Sequence, residues 1–160
     1  MASQYKKHGI SLAYPERWEL AEHLEPGQVT ISLTSPGTSF LTICLFQDRP
    51  DPEEVAEAAL QAFRDEYTEL DIYPTKAKVG RRPAISWDLE FFCLELTNSA
   101  RIRAFLAPRF TCLLLFQGTD QEFERTEETF LKIARSIRCR GTDGPSAETD
   151  DDDSPEDNDD

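Results

Sequence analysis

Residues 78–117 constrain this chain more than any other stretch. They are rich in aromatic, β-branched and leucine side chains, and turn formers interrupt them at regular intervals, the pattern of consecutive antiparallel strands. A first strand is expected over 85–96 with WDLEFFCLEL at its centre, then a turn at Thr97-Asn98-Ser99-Ala100. A return strand follows over 101–107, a turn at Pro108-Arg109, and a third strand over 110–117. Side chains alternate across a sheet, so two-residue turns at Asn98-Ser99 and Pro108-Arg109 sort the meander into two faces. Trp87, Leu89, Phe91, Cys93, Ile102, Ala104, Leu106, Leu113 and Leu115 make one continuous apolar face. Phe92, Leu94, Leu96, Phe105, Cys112, Leu114 and Phe116 share the other with Asp88, Glu90, Arg101 and Arg103. A one-residue slip in either turn destroys this sorting, so the pattern itself specifies the register.

The segments on either side read as shorter elements. Ile10-Ser11-Leu12-Ala13-Tyr14 is a brief strand ended by Pro15, with residues 1–7 a lead-in and Trp18 a core plug beside the Tyr14-Pro15 corner. Residues 28–34 alternate, with Val29, Ile31 and Leu33 on one side, and residues 40–47 are apolar on both faces, as a strand inside a sheet would be. Asp51-Pro52-Glu53-Glu54 opens a helix over 51–67: Asp51 can cap it and Pro52 suits its first position. Residues 72–79 form another strand, which Pro74 assigns to an edge or a bend. A second helix covers 120–137, with Thr119 and Glu122 at capping-box spacing and Phe123, Phe130, Ile133 and Ile137 as its buried stripe.

Charge divides the chain in two. From Asp143 onward there are ten acidic residues and no basic one, which leaves 21 acidic against 17 basic residues in the remainder. The net charge of −14 is therefore mostly a property of residues 141–160, expected to be a disordered acidic tail on a domain spanning 1–140. Phosphate binding requires clustered positive charge, so a nucleic-acid partner is not expected. Neither a membrane span nor a secretory h-region is legible, and a cytoplasmic location is the expectation. Cys44, Cys93, Cys112 and Cys139 lack CxxC spacing and read as reduced core residues rather than metal ligands.

The succession of strands, helix, meander and helix resembles the PsbP-like superfamily, which includes the photosystem extrinsic protein, a Ran-binding nuclear-transport factor and bacterial DcrB-like domains. The similar residues are Ile10-Ser11-Leu12-Ala13-Tyr14-Pro15-Glu16-Arg17-Trp18, the acid-capped helix after Asp51, Val79-Gly80-Arg81-Arg82-Pro83-Ala84 ahead of the long strand, and Phe130-Leu131-Lys132-Ile133-Ala134-Arg135-Ser136-Ile137. The resemblance covers about 9–137 and its motifs are structural. It implies an α+β fold, with an antiparallel sheet of about six strands sandwiched by helices, and mostly non-enzymatic binding roles. The acidic tail is additional to the pattern, and no Ran-binding residue can be matched.

No GxSxG, P-loop, HExxH, EF-hand or GxGxxG run occurs. His8 and His23 have no nucleophile or orienting group nearby in sequence, and Asp88 and Glu90 are expected to pair with arginines of neighbouring strands. No catalytic residue, metal site or cofactor is expected. The reading is a non-catalytic cytosolic protein-binding module of adaptor or chaperone type; the alternative is a hydrolase-type enzyme whose pocket no motif announces. The candidate binding surface is a shallow groove with an apolar floor of Phe92 and Phe105 and a rim of Arg101 and Arg103. It competes with a simpler outcome, in which the first helix or the N-terminal segment covers those residues.

Overall fold

A computed structural model describes residues 2–141. In chain order the elements are β1 (Ala2–Lys7), β2 (Ile10–Pro15), β3 (Glu19–Glu25), β4 (Gln28–Thr34), β5 (Phe40–Phe46), α1 (Pro52–Glu66) and β6 (Leu70–Val79). They continue with β7 (Arg82–Cys93), β8 (Leu96–Leu106), β9 (Thr111–Thr119), α2 (Asp120–Ser136) and β10 (Arg138–Cys139). Seven strands form an antiparallel sheet in the order β3-β4-β5-β9-β8-β7-β6, and a smaller sheet has the order β1-β2-β10. The small sheet and α2 pack on one face of the large sheet, while α1 packs on the other, against β7, β8 and β9. This is the expected α+β sandwich, with more strands than the pattern disclosed. Of the expected acidic tail, all but Gly141 lies outside the described residues.

Local signals place the helices. Asp51 caps α1, accepting a hydrogen bond from the Glu53 amide at 3.0 Å, and Pro52 occupies the first helical position. Helical spacing then turns Ala56, Ala59, Leu60 and Phe63 onto Leu89, Phe91, Ala100 and Ile102. On α2, Phe123, Phe130, Ile133 and the capping Ile137 are all buried, as their periodicity requires. The expected capping box does not form. Thr119 makes no side-chain cap bond; instead its amide donates to the Thr38 hydroxyl, and Glu122 accepts bonds from the Thr38 amide and hydroxyl. The box residues hold a distant loop rather than each other.

The strands missed by the pattern, β1 and β3, are held by hairpin pairing with the strands that follow them. β1 and β3 are largely exposed and polar; β1 pairs with β2, and β3 pairs with β4 at an edge of the large sheet. The Tyr5 hydroxyl donates to Glu22, linking the two. β5 does lie inside the sheet, β6 is an edge carrying Pro74, and Trp18 is buried against Phe116. Gly80 explains how β6 turns into β7: with φ at +61° it approaches Ile137 so closely that a Cβ would lie 2.4 Å from that carbonyl oxygen.

The meander carries the main correction. The Pro108-Arg109 turn is as expected, with Ala107 donating to the Phe110 carbonyl at 2.9 Å. The preceding turn falls at Leu94-Glu95 rather than Asn98-Ser99, since Cys93 pairs with Leu96 and Phe91 with Asn98. Both are two-residue turns, so odd-numbered residues of one strand still oppose even-numbered residues of the next, and the sorting of Asp88 to Phe92 against Ala100 to Phe105 is preserved. Leu96 does change sides, because it now belongs to β8 and shares a face with Cys93.

Candidate functional site

The four residues expected to line a docking groove are not brought together. Phe105 is buried in the core under α2 and the small sheet, and Arg103 is only 6% exposed. Neither is available to a partner. α2 covers this face together with the small sheet, so the N-terminal segment is part of the cover as expected, and α1 is not. Arg103 reaches Asp88 at 3.1 Å and donates to the carbonyls of Ile102 and Trp87. Arg101 lies 2.9 Å from Glu127 of α2 and 3.5 Å from Asp88, with its guanidinium 4.6 Å from the centre of the Phe123 ring. Burial pulls the Arg103 pKa down, and the neighbouring Asp88 carboxylate opposes that shift. Arg101 therefore fastens α2 to the sheet, Arg103 ties β8 to β7, and the expected cross-strand pairing with Asp88 is present.

Phe92 alone of the four faces solvent, at 56% exposure, and the displaced turn gives it new company. Leu94 is 90% exposed at the hairpin tip and Leu96 44% on the opposite side of the strand pair. Leu94 and Glu95 have φ of 54° and 64°. A two-residue hairpin turn with both central residues at positive φ is normally built from Asn and Gly. Leucine there has a strained backbone and gains no burial, an outlier of the kind concentrated at functional positions. The tip is held from behind, where Phe91 packs against Phe63 and against Tyr67 with centroids 4.2 Å apart.

Beside the tip lies a cleft of about 430 Å³ lined by Thr68, Glu69, Leu70, Asp71, Glu90, Phe91, Phe92 and Thr97. It holds three carboxylates and no basic side chain, and Glu95 adds a fourth at the turn. An apolar projection with an acidic border thus sits at one end of the large sheet. Nothing in the residue types announced it: Asn98 and Ser99 are better turn formers than Leu94 and Glu95, so the exposed leucine was invisible.

A second concavity follows α1 on the other face. A groove of about 450 Å³ is lined by Phe46, Pro50, Glu54, Val55, Ala58, Ala59, Leu113 and Leu115. Leu115 also lines its continuation past Ala62, Phe63, Glu66, Tyr67 and Gln117. Apart from the two glutamates, one towards each end of α1, this lining carries no charge.

No family model matches the chain, and no curated protein matches it. Solved structures do. LpqN of Mycobacterium tuberculosis, a protein involved in cell envelope biogenesis, superposes with a TM-score of 0.55 at 13% identity over 86% of this chain and 89% of its own. A Bacteroides thetaiotaomicron protein gives 0.56 at 12% identity over 85% of this chain, which spans only 47% of that protein's length. The cyanobacterial PsbP of Synechocystis gives 0.50 at 13% identity, covering 86% and 92% of the two chains. At such identity the likeness concerns architecture alone. With its antiparallel sheet held between α1 on one face and α2 with the small sheet on the other, the chain has the PsbP-like fold.

Proposed function

We propose that this chain is a non-catalytic protein-binding module of adaptor or chaperone type, and that it engages its partner through the β7–β8 tip. The observation that carries this reading is Leu94: a large apolar side chain, 90% exposed, on a backbone conformation that leucine disfavours. Phe92 and Leu96 extend the apolar surface, and Glu69, Asp71, Glu90 and Glu95 border it. Such a surface complements a partner with apolar anchors flanked by Lys or Arg. A cytosolic setting is part of the proposal, supported by four free cysteines and no disulfide among the described residues.

The test is site-specific photo-crosslinking in the native cell. A photoreactive residue in place of Thr97, exposed in the cleft beside the tip, captures one basic partner, and the same group at Leu131 on α2 does not. Capture weakens with added salt and disappears in a folded Phe92→Ser, Leu94→Ser variant. Equal capture from both positions, or undiminished capture by the variant, overturns the reading.

A further inference from the structure

The groove along α1 is independent of the hairpin tip and lies on the other face of the sheet. α1 packs on β7, β8 and β9, so among the described residues no helix lies over the same face of β4 and β5. Thr30, Ser32, Thr42, Cys44 and Phe46 remain half-buried there. A helix is about 10 Å wide and strands are about 4.8 Å apart, so the uncovered strip beside α1 has the width of one more helix. Its inner wall is smooth: Ala58 and Ala62 are exposed on α1 and admit close approach of a neighbouring backbone.

We infer that this groove binds one cationic amphipathic helix of a partner protein, lying alongside α1. Charge selects the occupant. The solvent side of α1 carries Glu53, Glu54, Glu57, Asp65 and Glu66 against Arg64 alone. The ten-acid segment after Gly141 and a second copy of this chain would both bring further negative charge to an acidic helix. Length follows from the glutamates at the rim. Glu54 and Glu66 are separated by twelve residues of helix, about 18 Å at 1.5 Å per residue. A guest of about three to four turns, with a leucine-type stripe inward and Lys or Arg on its flanks, satisfies both the apolar floor and the acidic rim.

The probe is a fluorescent peptide of about 14 residues with leucine at i, i+3, i+4 and i+7 spacing and lysine elsewhere. A control peptide of identical composition has the stripe scrambled. Anisotropy follows binding to the full chain, and circular dichroism follows helix formation on binding. The expected result is helical, salt-sensitive binding of the striped peptide alone. Its affinity falls at least about tenfold in Ala58→Arg, Ala62→Arg and in Glu54→Lys, Glu66→Lys, and is unchanged in Phe92→Ser, Leu94→Ser. Both alanines and both glutamates are exposed on α1, so thermal melts of these variants should match the parent. Absence of binding, equal binding of the scrambled peptide, unchanged affinity in both groove variants, or loss in the tip variant overturns the inference. Because the tip variant is the arm kept intact here and disabled in the crosslinking experiment, failure of one surface is distinguishable from failure of the other.

Discussion

Replacing Asp88 by alanine should destabilise the domain through an arginine that remains behind. Arg103 is 6% exposed, and Asp88 is the carboxylate within ion-pair distance of it, at 3.1 Å. Removing one member of a buried pair costs about 3–5 kcal/mol, because the other charge stays desolvated. Two features reduce that figure here. The Asp88 side chain is 30% exposed, and Arg103 keeps its bonds to the carbonyls of Ile102 and Trp87. Arg101 is meanwhile retained by Glu127. The expected cost of Asp88→Ala is therefore about 2–3 kcal/mol, read as a lower urea midpoint at unchanged slope. Adding Arg103→Met to that variant removes the stranded charge while keeping an apolar stem of similar length. The double variant should recover to within about 1 kcal/mol of the parent. A cost below about 0.5 kcal/mol for Asp88→Ala, or a double variant less stable than the single, would show that Arg103 is not left stranded.

Phe91→Ala should cost about 3–5 kcal/mol in the same unfolding assay, since Phe91 is 2% exposed and packs against Phe63 and Tyr67. Leu94→Asn with Glu95→Gly should raise stability by about 1 kcal/mol, by giving the turn residues suited to positive φ, while abolishing capture through the tip. The bonds from the Thr38 hydroxyl and amide hold the Glu122 carboxyl below its usual range. Its contribution is thus fully present above the ordinary carboxylate pKa, about 4.3, and lost as pH falls through the depressed value. Amide exchange at Thr38 should accelerate only in acid, and Glu122→Gln should remove that pH dependence.

The hairpin tip shows why part of this molecule was legible and part was not. Asn98-Ser99 has the stronger local turn chemistry, yet Asn98 is buried opposite Phe91 and the Ser99 hydroxyl donates to Asp120 at 2.7 Å. Those contacts belong to β7 and α2, remote in sequence, and they outweigh turn propensity. The face assignment survived because the turn, though displaced, still has two residues. The assignment of a docking role to Arg101, Arg103 and Phe105 did not, because only the docking of α2 decides whether that face is wet.

Part of the fold is settled between residues that are neighbours in the chain. The start of α1 follows from Asp51 and Pro52, the buried stripes of both helices from helical spacing, the edge position of β6 from Pro74, and the interior position of β5 from its two apolar faces. Which surfaces meet is settled by long-range packing. β10 is a strand because β2, far earlier in the chain, supplies a partner for its backbone, Phe105 is buried because α2 and the small sheet lie over it, and Glu122 serves a loop far from its own helix. The physical reason is common to all three: each state is fixed by groups far apart in the chain, and a local pattern carries no information about which of them will be adjacent.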